Sequence, residues 1–103
     1  MNAHTFAALA EPNRLRIVEL LRAQPYSVNQ VAELLDLRQP QASKHLRALT
    51  EAGLVTVKPV AQQRMYSLSP EPFQLMEDWA ESFRQQLDQR LDNLEAFLKK
   101  GHQ

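Results

Sequence analysis

Residues 27–54, SVNQVAELLDLRQPQASKHLRALTEAGL, decide the fold, because they contain two amphipathic helix patterns separated by a short break. Ser27 and Gln30 have the three-residue spacing of a capping box at a helix N-terminus. Apolar residues then recur three or four positions apart, at Val28, Val31, Ala32 and Leu35. This spacing predicts a helix with one buried face. The break Asp36-Leu37-Arg38 ends it.

A second helix is predicted from about Gln39 to Ala52. Pro40 is tolerated because it falls in the first turn, where its missing N–H is not needed. The buried stripe of this helix consists of Ala42, Leu46 and Leu49. Gly53 stands where a helix commonly ends in a left-handed residue, and Leu54 supplies the accompanying apolar contact.

Helices are also predicted before this stretch. A short one is expected from about His4 to Ala10, and another begins at Pro12 and stops before Pro25. The chain contains two glycines, and its abundance of Leu, Ala, Gln, Glu and Arg favours a mostly helical protein. Its 103 residues correspond to one domain, here residues 1–103.

After Gly53 the hydrophobic period changes from that of a helix to that of a strand. Leu54–Lys58 is rich in β-branched residues, and Arg64–Leu68 alternates polar and apolar side chains. The polar segment Pro59–Gln63 between them is predicted to be a loop. The expected structure is a β-hairpin over about residues 54–68, with its turn type left open.

The C-terminal third predicts one long helix over about residues 70–100, with Ser69 as cap and Pro70 as first residue. Its apolar stripe is too long to be buried by so small a domain, so we expect it to pair with a second copy of the chain. The stripe consists of Phe73, Met76, Trp79, Phe83, Leu87, Leu91, Leu94 and Leu98.

The predicted architecture is mainly α with a small β-hairpin, in the order of a winged helix-turn-helix: helix-turn-helix over about 27–53, wing over about 54–68. On the second helix of this unit the outward face carries polar and basic side chains. Gln pairs with adenine edges, Arg and Lys reach guanine or phosphate, and Ser donates or accepts. The outward side chains of this helix that suit DNA contact are Gln41, Lys44 and Arg47, with Ser43 at the flank.

The chain resembles the ArsR/SmtB-type winged-helix repressors of bacteria and archaea. Three stretches carry the resemblance: FAALAEPNRLRI at 6–17, QPQASKHL at 39–46 and EAGLV at 51–55. It implies a recognition helix in the major groove, wings on the flanking DNA, and repression released by an effector. It also implies recognition-helix positions and wing positions for DNA contact. The first are Gln39, Gln41, Ser43, Lys44 and Arg47, and the second are Gln62, Gln63 and Arg64.

The same resemblance implies a homodimer built from the first and last helices. The predicted dimer-interface residues are Phe6, Leu9, Met76, Trp79, Phe83, Leu87 and Leu91. One hypothesis for an effector site is an apolar pocket at this interface that binds a small molecule. It would be lined by some of Trp79, Phe83, Phe6 and Met76. The alternative, which such residues favour, is that they simply form the dimer core.

For three further residues, a contact with DNA is only one of two interpretations. His45 lies at the edge of the buried face, which favours packing or hydrogen bonding over base contact. Lys58 and Arg14 are candidate phosphate ligands, with ordinary surface charge an equal alternative.

No metal or cofactor is predicted. The family's cysteine site aligns with about Ser27, Asn29 and Ala32, none of which supplies a thiolate. The last helix has carboxylates but no histidine before His102, and zinc prefers nitrogen or sulfur ligands. His4, His45 and His102 show no ligand spacing.

Composition excludes several classes. Cys is absent, which rules out disulfides and thiolate chemistry and fits a cytoplasmic location. No apolar run is long enough to span a membrane. There is no Gly-rich phosphate loop and no nucleophile motif, and Ser43 and His45 face different ways on a helix, so no enzyme activity is expected.

The formal net charge is zero, but it is unevenly distributed. Residues 1–68 hold eight Lys or Arg against five Asp or Glu, a net of +3, and residues 69–103 hold four against seven, a net of −3. Together with this charge distribution, the resemblance implies a dimeric repressor of its own or an adjacent operon that binds a pseudo-palindromic double-stranded operator. The alternative is a winged-helix adaptor that dimerises through its last helix without specific DNA binding.

Overall fold

The computed structural model describes residues 3–101, which form five helices and a three-stranded antiparallel sheet. The predicted fold class is confirmed. Residues 3–73 and 74–101 form two compact units, which are described separately. In chain order the elements are α1 (Ala3–Leu9), α2 (Pro12–Leu21), β1 (Tyr26–Ser27), α3 (Val28–Leu34), α4 (Gln39–Glu51), β2 (Val55–Val60), β3 (Gln63–Leu68) and α5 (Pro70–Gly101).

Side-chain hydrogen bonds cap the N-termini of α2 and α3. The Glu11 carboxylate accepts a hydrogen bond from the Arg14 backbone N–H at 2.9 Å, with Pro12 as the first helical residue. At α3 the Gln30 N–H donates to Ser27 Oγ at 3.2 Å, and the Ser27 N–H donates to Gln30 Oε1 at 2.9 Å. The predicted capping box is confirmed, and it fixes where the first helix of the helix-turn-helix begins.

Ser27→Ala is expected to lower the free energy of unfolding by about 1 kcal/mol, because α3 loses an N-terminal hydrogen-bond acceptor at a buried position. The measurement is urea denaturation followed by circular dichroism. Asn29→Ala, on the exposed face of the same helix, is the matched control and should be close to neutral. Equal stability of Ser27→Ala and wild type would contradict the capping role.

The turn between α3 and α4 is held by backbone bonds and one arginine. The Leu37 N–H donates to the Ala32 carbonyl at 2.8 Å, and Asp36 takes a left-handed φ of 54°. From α2, Arg16 Nη2 donates to the Leu35 carbonyl at 2.9 Å. The start of α4 is therefore held relative to α2 and α3.

Helix α4 ends as predicted. Gly53 has a φ of 78°, and its N–H donates to the Thr50 carbonyl at 3.0 Å. The Leu54 N–H donates to the Leu49 carbonyl, also at 3.0 Å, which completes the glycine-terminated motif. The chain then enters β2 directly, so the hairpin follows α4 almost without a linker.

The strands of the hairpin are longer than predicted, and its turn is shorter. Pro59–Gln63 is not a loop, because Pro59 pairs with Arg64 and Val60 pairs with Gln63, leaving a turn at Ala61 and Gln62. The sheet order is β1-β3-β2, so β2 is an edge strand, where a proline is tolerated. Strand β1 pairs with β3 and was not predicted, because two residues are too few to show a period.

The core of the first unit lies between α2, α3, α4 and the start of β2. The predicted stripe of Ala42, Leu46 and Leu49 is completely buried. The largest other fully buried side chains are Ile17, Val31, Leu54 and Val55. Because this stripe is fixed against the core, the opposite face of α4 is presented to solvent.

The second unit is the helix α5 from residue 74 onward, and its apolar stripe is exposed. Trp79 and Phe83 are 46% and 49% exposed and pack edge to face, with ring centroids 5.0 Å apart. The exposed large apolar residues of this unit are Leu75, Trp79, Phe83, Leu87, Leu91, Leu94, Phe97 and Leu98. Across residues 3–101, no helix is both long and apolar enough to cross a membrane.

Candidate nucleic-acid interface

The outward face of α4 presents the side chains predicted to contact DNA. Gln39, Gln41, Lys44 and Arg47 are exposed, and Ser43 is partly buried at the flank. They occupy the first turns of the helix, the part that a recognition helix places against base edges.

Gln41 is committed to a local contact that the sequence analysis did not assign. Its Oε1 accepts a hydrogen bond from the Arg38 backbone N–H at 3.2 Å. Recognition of adenine by two hydrogen bonds requires the amide oxygen as well as the NH₂ group. Because an amide oxygen has two lone pairs, Gln41 Oε1 can keep this cap and still accept a second hydrogen bond, while the NH₂ group donates.

The three predicted wing residues do not share one face. Directly opposed residues of an antiparallel pair point to the same side of the sheet, and neighbours along a strand alternate. Arg64 pairs with Pro59 and lies on the side that faces α4, whereas Gln63 pairs with Val60 on the other side. Gln62 lies in the turn.

A notch between α4 and the hairpin brings three of the predicted residues together. Its volume is about 220 Å³, and its walls are Ser43, Arg47, Thr50, Glu51, Val57, Arg64 and Tyr66. Thr50 offers no proton to a ligand, because its Oγ1 already donates to the Leu46 carbonyl at 2.7 Å. The donors are two guanidinium groups, a serine hydroxyl and a phenol, which are groups that bind a phosphodiester, and the Glu51 carboxylate is the one anionic group beside them.

Tyr66 is the notch residue that the sequence analysis missed. It pairs with Val57 across the hairpin and lies two residues after Arg64 on β3. The period-2 alternation of a strand therefore puts Arg64 and Tyr66 on one face. That signal was present in the sequence, but which face meets α4 depends on the tertiary fold.

The weaker candidates lie away from the notch. Lys58 is on the opposite side of the sheet, beside Met65 and Ser67. Arg14 lines a separate cavity with α1. His45 is 17% exposed, and its Nδ1 lies 3.7 Å from the Glu11 carboxylate, toward the N-terminus of α2. This position agrees with the packing role predicted for His45.

Within residues 3–101, no three side chains among His, Cys, Asp and Glu are grouped so as to hold a metal ion. His102, which the sequence analysis considered as a ligand, lies outside the described residues.

The helix pair with its capped start, the short turn, the glycine-terminated α4 and the following hairpin define a winged helix-turn-helix domain. Comparison with known proteins agrees, since residues 9–58 match the helix-turn-helix domain family. A solved structure of a possible transcriptional regulator for arsenical resistance is 35% identical, covers 80% of this chain and 85% of its own, and superimposes with a TM-score of 0.69. The chain belongs to the ArsR/SmtB-type winged helix-turn-helix transcriptional regulators.

Two other relatives are informative. The HTH-type transcriptional regulator Rv2034 of Mycobacterium tuberculosis is 40% identical over 63 residues, which cover 61% of this chain and 59% of that protein. The solved homodimeric winged helix-turn-helix DNA-binding domain of a possible ArsR-family regulator from Mycobacterium bovis is 28% identical, covers 77% of each chain and has a TM-score of 0.65. The chain spans just over half the length of the first curated relatives that it matches. These relatives are named as transcriptional regulators rather than as enzymes.

Proposed function

We propose that this protein is a sequence-specific DNA-binding repressor that acts as a homodimer on an operator near its own gene or an adjacent operon. The observation that carries the proposal is the notch, where Arg47 of α4 and Arg64 of the wing meet beside Ser43 and Tyr66. The exposed start of α4 lies next to it. Base-reading side chains thus adjoin a phosphate-binding group of donors.

In this arrangement, one part of the surface contacts bases and another contacts a phosphate. The first turns of α4 enter the major groove, where Gln39, Gln41 and Lys44 meet base edges. The notch takes a backbone phosphate at the groove edge, which fixes the depth and register of the helix. Gln62, at the turn of the hairpin, is placed to contact flanking DNA.

The exposed stripe of α5 supports the homodimer. A row of large apolar side chains along one helix is what an interface between chains buries. The M. bovis relative is itself described as homodimeric. We propose that Met76, Trp79, Phe83, Leu87 and Leu91 lie in the dimer interface, together with Phe6 and Leu9 of α1. A two-fold dimer reads half-sites about one DNA turn, ~10–11 bp, apart.

The charge distribution agrees with DNA binding by the first 68 residues of the chain. The residues up to 68 carry a net +3 and the remaining residues a net −3. Phosphates attract the first part of the chain and repel the second. A small total charge also favours weak non-specific binding. The contacts of α4 and the wing then distinguish the operator from other DNA sequences.

A DNase footprint on the DNA upstream of the gene tests the proposal. We expect protection of a pseudo-palindrome with two half-sites on one face of the duplex. The oligomeric state of the same sample is measured by analytical ultracentrifugation. A folded dimer that protects no site at moderate salt would contradict DNA-binding repression and would favour the adaptor alternative.

Gln41→Glu separates base readout from helix capping. A carboxylate keeps the acceptor for the Arg38 N–H but loses the NH₂ donors. We expect operator affinity to fall about tenfold or more, with the free energy of unfolding nearly unchanged. The measurements are fluorescence anisotropy with operator DNA and urea denaturation, with Asn29→Asp as a charge-matched control. Unchanged operator affinity would remove Gln41 from the interface.

A further inference from the structure

A second cavity lies between α1, α2 and α4. Its volume is about 260 Å³, and its walls are His4, Ala7, Ala8, Arg14, Ala48, Glu51 and Ala52. Four alanine methyl groups form an apolar surface, and three ionisable side chains stand around it. The cavity thus combines a small apolar floor with charged groups, which is the composition of a small-molecule site.

The Arg14 side chain, which lines this cavity, contains a buried atom without a hydrogen-bond partner. Its Nε is buried, and no acceptor among residues 3–101 bonds to it. Buried donors are nearly always satisfied, because an unpaired one forfeits its hydration without replacement. The cap of α2 does not use the side chain, since Glu11 bonds to the Arg14 backbone N–H. None of the ion pairs among residues 3–101 involves Arg14, so its positive charge is available to an anionic ligand.

We propose that this cavity binds a small organic monocarboxylate. The carboxylate takes two parallel hydrogen bonds from the Arg14 guanidinium, and the apolar remainder of the molecule packs on Ala7, Ala48 and Ala52. Glu51 lines the same cavity but forms no ion pair with Arg14. The cavity has one guanidinium, that of Arg14, and one carboxylate, that of Glu51. A ligand with a single negative charge and an apolar body therefore suits it better than a phosphate with two negative charges.

Glu51 gives the cavity a connection to DNA, since it also lines the notch with Arg47 and Arg64. A bound carboxylate repels the Glu51 side chain from the cavity and toward the notch. There its negative charge opposes the DNA phosphate. This coupling rests on the proposed function, whereas the binding site itself does not.

The binding site is tested without DNA, by NMR of the full chain. Benzoate is the probe, and benzamide is its uncharged control. We expect benzoate at millimolar concentration to shift the Arg14 Nε–H resonance in a saturable way, and benzamide to leave it in place. Arg14→Gln, in which binding is followed by the backbone amide resonances of Ala48 and Ala52, should abolish saturable binding of benzoate. So should Ala48→Leu, which fills the cavity and keeps the guanidinium. Arg22→Gln, at an exposed pair with Glu19, should bind as wild type does.

No shift with benzoate, or equal shifts with benzoate and benzamide, would overturn the site. The coupling is then measured as operator affinity with and without saturating benzoate at constant ionic strength. We expect the Kd for DNA to rise about fivefold in wild type and to stay constant in Glu51→Gln. An unchanged Kd in wild type would overturn the coupling. Failure to bind DNA at all would refute the proposed function and leave the NMR result intact.

Discussion

Replacing Arg47 and Arg64 together by alanine is expected to weaken operator binding by roughly 30- to 700-fold. The two guanidinium groups line the same notch, and their two positive charges outnumber the single carboxylate there, that of Glu51. A hydrogen bond to a charged group contributes about 1.5–3 kcal/mol, and the loss of two overlapping contacts amounts to about 2–4 kcal/mol. Each factor of ten in affinity corresponds to about 1.4 kcal/mol.

The matched control for this double variant is Lys58→Ala with Gln63→Ala. It also removes a basic side chain, but from the opposite side of the hairpin. We expect a much smaller loss of affinity in fluorescence anisotropy at the same salt concentration. Both variants should unfold at the same urea concentration as wild type, because the four side chains are exposed. Equal losses in the two variants would show that the notch has no special role.

Trp79→Ala is expected to weaken the dimer by about 30-fold or more. Trp79 is half exposed in the single chain and forms an edge-to-face pair with Phe83, the geometry of a large apolar anchor that a partner surface covers. Truncation of such an anchor costs about 2 kcal/mol or more of association free energy. Sedimentation equilibrium measures the change directly.

Gln85→Ala is the control for Trp79→Ala, because Gln85 lies on a polar face of the same helix and is also exposed. It should leave the dimerisation constant unchanged. In Trp79→Ala, operator binding should require higher protein concentration, while affinity for a single half-site changes little. A dimer as tight as wild type would exclude the Trp79 surface from the interface.

The helix-turn-helix was predictable because local rules determine it. The Ser27–Gln30 cap and the Gly53 terminus follow from short-range hydrogen bonds. The buried stripe of α4 follows from periodicity. The Arg38–Gln41 cap has the same three-residue spacing, but the sequence does not predict it, because Arg38 is not a usual cap residue.

The parts that were missed depend on distant contacts. Strand β1 exists because Tyr26 pairs with Tyr66, forty residues later in the chain. The hairpin extends through Pro59 because β2 is an edge strand, which the sequence does not reveal. The meeting of Arg47, Arg64 and Tyr66 combines α4 with β3, and no spacing along the chain predicts it.

The central claim is that this protein reads a particular DNA sequence. The most direct measurement is the Kd of the dimer for the footprinted upstream DNA and for a scrambled duplex of equal length, over several salt concentrations. We predict a preference of at least about 10³-fold for the upstream DNA, with log K for both duplexes falling linearly with the logarithm of salt concentration. Equal affinity for the two duplexes at every salt concentration would contradict it.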